Sequence, residues 1–301
     1  MAVLKNEFSW SFSRHKLCCE CRRAYYYYYY ASWEGWKKDS SELAQKTYRL
    51  KKMQNLDMWA GSLVHTLLQE ILKNRSEKNV ITYEQAITQA HTAMAVQWRQ
   101  SQEQRWQESP KTYLNLFEHY YHKKVSQELI DRKVKKKVYE SIKNFYDSGF
   151  LEYLDSLGQE QFLRIEEIDS FPFEKTKMYV VPDFALRDGS VKLYDWKTGR
   201  PNPDDTRQLS CYALYAHTKW QVPLEKVKVF PVYLALGIPG FDPWQEKIDT
   251  VELITFLRQS IRQMHALLLT GPGENKIDYA KCPRTENTRR CETCVFQEVC
   301  V

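Results

Sequence analysis

KMYVVPDFALRDGSVKLYDWKTG, residues 177–199, consists of two runs rich in β-branched and aromatic residues, joined by Asp188-Gly189. Asp-Gly between two such runs signals a hairpin, because a tight turn needs positive φ and these residues tolerate it. The two strands carry two acids: Asp183 follows Pro182, and Asp195 comes after eleven further residues. Carboxylates on adjacent strands can converge on one divalent cation, and the main-chain carbonyl of Trp196 can add a further oxygen. Hard oxygen donors select Mg2+ or Mn2+ over softer metals. Lys197 lies two residues beyond Asp195, so strand alternation sends both side chains to one face. A lysine there can orient an attacking water or stabilise charge developing on a phosphodiester. An isolated Asp-x-Lys triplet is usually only a solvated charge pair, so the reading rests on its surroundings.

Upstream, FLRIEEIDSFPF (162–173) has strand character, and Glu166 and Glu167 in it alternate faces, so only one can point inward. Downstream, a Pro/Asn/Asp loop at 201–205 leads to a helix, QLSCYALYAHTKW, then a strand, KVKVFPVYLALG, then an amphipathic helix, VELITFLRQSIRQMHALLL. Further upstream, Leu56 to Lys73 reads as a helix with Trp59, Leu63, Leu67 and Ile71 on one face, and His65 one turn beyond Gly61. Residues 6–30 read as a lead-in followed by a helix carrying the first cysteines and the run Tyr25 to Tyr30.

Between these parts the chain is helical in pattern. Thr82 and Gln85 form a capping box ahead of a segment reaching Trp106. Ser109-Pro110 breaks it, and TYLNLFEHYYHKK (112–124) and then 125–150 read as further helices. The last contains a basic run, Arg132 to Lys137, either a solvated face or a guide for a nucleic-acid strand, with Tyr139 and Phe145 available for stacking. The expected organisation is a first part of the core at 1–75, a helical insert at 76–160, the catalytic core at 161–275 and a cysteine segment at 276–301.

No apolar run in the 301 residues approaches the ~20 needed to span a bilayer. The amino-terminal stretch is too polar for a signal peptide, so a cytoplasmic address is expected. A net charge of +6 tolerates a phosphate-rich partner without demanding one. An aromatic content of 14% is more suggestive, since rings beside cations suit unpaired bases, although most such rings are core packing. Eight cysteines in a reducing compartment are not read as disulfides. They cluster as Cys18, Cys19 and Cys21 and as Cys282, Cys291, Cys294 and Cys300, with Cys211 alone, which points to metal or an iron–sulfur centre.

Four motifs together resemble the PD-(D/E)XK superfamily, and within it the RecB-like nucleases: GSLVH (Gly61 to His65), VVPDFAL around Asp183, DWKTG (195–199) and QLSCY (Gln208 to Tyr212). The resemblance implies an α/β core with a restriction-endonuclease-like mixed sheet flanked by helices. It implies Asp183, Asp195, Lys197 and one acid of the preceding strand, Glu167, as catalytic, with Gln208 and Tyr212 beside them. His65, Asp183, Asp195 and the carbonyl of Trp196 would hold Mg2+ or Mn2+. Cys291-x2-Cys294-x5-Cys300 further resembles the iron–sulfur staple of AddB and the CRISPR-associated RecB-like exonucleases. There a single upstream cysteine, for which Cys21 fits best, completes a [4Fe-4S] cluster. The implied activity is metal-dependent DNA hydrolysis, on single-stranded ends, alone or beside a helicase or integration-complex partner. The alternative is a catalytically idle nuclease fold serving as a DNA-binding or scaffolding subunit. It would have little physical reason to keep two acids and a lysine facing each other.

Overall fold

The computed structural model describes residues 6–237, 241, 248–269 and 275–300. A short strand, β1 (Ser9–Trp10), leads into α1 (Phe12–Glu20), whose cap Ser11 accepts from the Arg14 N–H. Cys21 breaks α1 and caps α2 (Arg22–Tyr26), which runs on as a π-helical turn, Tyr27–Ala31. The next helices are α3 (Glu42–Leu50), α4 (Leu56–Ser76) and α5 (Tyr83–Gln102), the last opened by the Thr82/Gln85 capping box. Then come α6 (Phe117–Tyr120), α7 (Gln127–Ile130), α8 (Lys136–Tyr146) and α9 (Phe150–Asp155). The strands follow: β2 (Phe162–Ile165), β3 (Asp169–Phe173), β4 (Thr176–Val180), β5 (Phe184–Asp188) and β6 (Ser190–Lys197). The chain continues with α10 (Pro203–Trp220), β7 (Val227–Tyr233), α11 (Thr250–His265) and α12 (Thr288–Glu292).

The sequence suggests one mixed sheet, and the structure corrects this to two. One has the order β1-β4-β3, the other β2-β5-β6-β7, and each mixes parallel with antiparallel pairing. The long hairpin β2-β3/β4-β5 crosses from one sheet to the other through two breaks. On one side Glu166 takes a φ of 45°, which no strand residue can hold. On the other, Val181-Pro182-Asp183 interrupts the ladder, because proline has no N–H to donate. The breaks sit at one level, tied by the Glu166 N–H donating to the Asp183 carbonyl at 2.8 Å. The Asp188-Gly189 turn forms as expected, with Gly189 at a φ of 63°.

Alternation along β6 separates two cores. Tyr194 and Trp196 turn toward α4, α5, α8 and α9, in a cluster that includes Leu63, Val138, Ile142, Phe145 and Phe150. Val191 and Leu193 turn toward α10 and α11, with Leu209, Tyr215 and Leu257. The helices of residues 76–160 therefore share their core with one face of the catalytic sheet.

Two local expectations in that segment are overturned. Residues 112–124 are helical only at α6, because Asn115 and Phe117 pair with Gln54 through bonds of 2.9 and 2.8 Å. Phe145 is fully buried against Trp196, at 5.6 Å between centroids, and cannot stack on a base. The basic run is largely neutralised: Lys133 and Lys137 bind Asp57 at 2.7 and 3.0 Å, and Lys135 binds Asp131 at 2.8 Å. No helix among the described residues is long and apolar enough to cross a membrane.

Candidate active site

The hairpin breaks place the acids. Phe184 pairs with Tyr194, so Asp183, one residue before β5, faces the end of β6 where Asp195 lies. Asp183 and Asp195 are both buried, at 7% and 3% exposure. One Asp183 oxygen accepts from the Trp196 N–H at 2.5 Å, and the other lies 3.2 Å from His65 Nδ1. Glu166 Oε1 is also 3.2 Å from His65 Nδ1. Among the described residues, His65, Glu166 and Asp183 form a group whose donor atoms all lie within 4.8 Å of one another.

The inward acid is thus Glu166, which corrects the expectation of Glu167. Strict alternation fails at this point because Glu166 adopts a left-handed conformation and turns its carboxylate toward α4. Glu167 is exposed and pairs with Arg164 at 3.1 Å. Helix α4 delivers His65, and Gly61 lets it approach: a Cβ at Gly61 would stand 3.3 Å from Thr198 Oγ1, just beyond Lys197. The glycine and histidine of GSLVH accordingly face the end of β6 and the two hairpin breaks.

Lys197 shares its face of β6 with Asp195 and contacts it at 2.5 Å. It donates to Gln208 Oε1 at 2.9 Å, and Gln208 donates in turn to the Tyr212 hydroxyl at 2.8 Å. That hydroxyl donates to the Val181 carbonyl at 3.0 Å and lies 3.5 Å from Asp195. Gln208 and Tyr212 are one turn apart on α10, which is why the Gln-x-x-x-Tyr spacing presents both to the lysine. Asp205 was missed in the sequence, although Asn202-Pro203-Asp204-Asp205 carries a signal for it. It closes the capping box of α10, is nearly buried, and lies 3.4 Å from Lys197 while accepting from the Tyr233 hydroxyl at 2.8 Å. Trp196 contributes its N–H to Asp183 and buries its ring in the core.

These contacts set the electrostatics. Burial and the neighbouring Asp183 charge raise Asp195, with Lys197 opposing them. Burial alone would lower Lys197, but Asp195 and Asp205 hold it above its ordinary value. Burial also works against a charged His65, yet Asp183 and Glu166 overcome it and push the imidazole up to about 10. A divalent cation fits this donor set: two carboxylates and an imidazole whose donor atoms lie within 4.8 Å of one another, with buried Asp195 beside them. Without the cation His65 carries the compensating charge.

A pH dependence follows. In metal-free protein the folded state keeps the His65 proton where the unfolded state has lost it, so this contribution is full below about pH 6.5 and is lost as pH rises toward 10. The melting-temperature difference between the parent and His65→Asn in chelator should narrow steadily across that window. A constant difference would show that His65 is not protonated between the two acids. Because a metal ligand must be neutral, apparent cation affinity should rise over the same range.

The site opens into a cleft of about 840 Å3, with Trp10, Phe12, Arg14, Tyr28 and Tyr29 along another wall. A second cavity, of about 450 Å3, is lined by Cys21, Cys291, Cys294 and Cys300, with Tyr27, Tyr28, Arg284 and Arg290. Burial raises the Cys294 thiol, and Cys21, Cys300 and Cys291 raise it further. The cysteine segment is fastened to the amino-terminal helices by the Tyr27 hydroxyl on the Val299 carbonyl (2.6 Å), Arg23 on the Cys282 carbonyl (2.6 Å) and the buried Phe296. Cys18, Cys211 and Cys282 are buried in the other core, and exposed Cys19 lies beside His15.

No curated protein matches this sequence. A family model described as the PD-(D/E)XK nuclease superfamily matches residues 9–301, from β1 through the cysteine segment. Its members use Mg2+ or Mn2+. With the acids, lysine and histidine gathered at the end of one hairpin, the chain belongs to the PD-(D/E)XK nuclease superfamily.

Proposed function

We propose that this chain is a RecB-like deoxyribonuclease that hydrolyses DNA from single-stranded ends in the cytoplasm. The observation that carries the reading is the convergence of His65, Glu166 and Asp183 within 4.8 Å, beside Asp195 and Lys197. His65, Glu166, Asp183 and Asp195, with the Trp196 carbonyl, would hold a divalent cation, which would supply Lewis-acid polarisation of the phosphodiester and a more acidic water. The chain's own groups do the rest. Lys197, steadied by Gln208 and Asp205, orients the attacking water and holds charge on the phosphoryl oxygens. Tyr212 fixes Gln208 and braces the Val181 carbonyl at the strand break.

The four-thiol cavity is proposed to hold a [4Fe-4S] cluster that staples the chain ends. Soft thiolates suit iron or zinc. The resemblance of Cys291-x2-Cys294-x5-Cys300 to an iron–sulfur staple favours the cluster over zinc. A helicase or integration-complex partner fits a chain in which no GxxxxGK[ST] phosphate loop occurs.

The test is purified protein with 5′- and 3′-labelled single strands and duplexes, with and without Mg2+ or Mn2+. Shortening from one end, faster on single strands and absent in chelator, is expected. Internal cuts on circular single strands would replace the exonuclease reading, and no cleavage with either metal would overturn the activity.

A further inference from the structure

We propose that Arg14, Lys51 and Lys52 form a phosphate track that guides a single strand from the active-site cleft along the tyrosine turn Tyr27–Ala31. This rests on the nuclease reading and names the surface that takes the rest of its substrate. Three cations line the cleft among the described residues: His65, Lys197 and Arg14. The first two are held by carboxylates. Arg14 is not. Its Nη1 donates to the Ser9 carbonyl at 3.2 Å, and its guanidinium lies 4.3 Å from the Tyr29 ring centroid.

The positive charge continues beyond the cleft. Tyr28 borders it, and Lys51 Nζ lies 5.7 Å from the Tyr28 ring and 5.3 Å from Tyr48. Lys51 donates to Ser32 Oγ at 2.8 Å, and Lys52 Nζ stands 5.9 Å from the Tyr48 ring. Among the described residues none of the three cations has a carboxylate within 4.0 Å, whereas the lysines of the 132–137 run mostly do. Burial and the charges of Lys52 and Arg14 lower Lys51 to about 8, as expected for cations gathered without counter-charges. A polyanion supplies them.

The rings indicate which polyanion. Trp36 is 42% exposed and packs edge-on against Tyr48 at 5.9 Å. Cations interleaved with rings suit a strand whose bases are free to stack, which a duplex does not offer. The arrangement also gives a role to the tyrosine run and to Trp36, which the hydrolytic site does not use.

The experiment is binding of a labelled oligothymidylate to the full chain in chelator, over a range of salt, so that cleavage plays no part. Each lost phosphate contact flattens the log–log salt slope by about 0.7 on single strands, so Arg14→Gln/Lys51→Gln/Lys52→Gln should lower it by roughly two. At moderate salt the affinity should fall at least about tenfold. Arg14→Lys/Lys51→Arg/Lys52→Arg should restore most of the slope, which separates charge from folding. Lys135→Gln/Lys136→Gln should leave it in place. Trp36→Ala should weaken binding of the oligothymidylate but not of an abasic strand of equal length. An unchanged slope in the triple glutamine variant, or failure of the charge-conserving variant to restore binding to a folded protein, would overturn the track. Failure of the parent to cleave would instead overturn the nuclease reading.

Discussion

Asp183→Asn, Asp195→Asn and Lys197→Ala should each slow metal-dependent DNA cleavage by at least about 10²–10³, the usual cost of removing one preorganised electrostatic group. The geometry gives each loss its own character. Asp183 binds three ways, to His65, to the Trp196 N–H and, through its carbonyl, to Glu166, so its removal loosens both strand breaks as well as the cation site. Lys197 has no part in holding the cation, so Lys197→Ala should retain Mn2+ binding and lose turnover. Calorimetric titration beside a cleavage assay separates the two effects. The most discriminating pair is Glu166→Gln against Glu167→Gln. Glu166 shares His65 with Asp183, whereas Glu167 is exposed and meets Arg164, so the first should behave like an active-site variant and the second like the parent. Parental rates in Lys197→Ala, or equal losses at Glu166 and Glu167, would displace the site from this hairpin.

The difference between those two glutamates marks where sequence reasoning stops. Asp195 and Lys197 were legible because β6 is a regular strand, and a period of two fixes their faces without further information. His65 was legible once Gly61 was seen one turn before it, and the close approach to Thr198 gives that glycine its physical reason. Glu166 was not, because the break between β2 and β3 depends on pairing with the other arm of the hairpin. The Glu166 N–H finds its acceptor in Asp183, a residue distant in sequence, and the left-handed turn follows from that bond. Asp205 was overlooked for a related reason. A capping acid in the first turn normally faces water, and only the packing of α10 against the ends of β6 and β7 brings Lys197 and Tyr233 onto it. The basic run at 132–137 was left open between a solvated face and a nucleic-acid guide, because the Asp57 that neutralises part of it lies on a helix distant in sequence.

Cys21→Ser or Cys294→Ser should strip the proposed cluster and cause a large loss of stability, whereas Cys211→Ser should retain it. A structural metal centre contributes on the order of 10 kcal/mol to the fold that forms it, more than the whole margin of many domains. Here that contribution would fall on one place. The cysteine segment docks on α2, the tyrosine turn and the end of α6 through Phe296, the hydroxyls of Tyr27 and Tyr121 on the Val299 and Val295 carbonyls, Arg23 on the Cys282 carbonyl, and the ion pairs of Lys46 with Glu298 and Arg290 with Glu20. Because Cys21 and Cys291 lie near opposite ends of the chain, a centre joining them closes a very long loop, whose opening in the unfolded state is entropically favoured. Iron analysis, visible absorbance and thermal melting of anaerobically purified protein provide the check. The expected parent is brown with about four irons per chain. A colourless parent with one equivalent of zinc would replace the cluster while keeping the staple. The consequence for function would be indirect. Tyr28 borders both the thiol cavity and the catalytic cleft, and Arg14 lies one helix before Cys21. Stripping the centre should therefore weaken single-strand binding, through the wall it supports, before it affects cation binding at the proposed site of His65, Glu166 and Asp183.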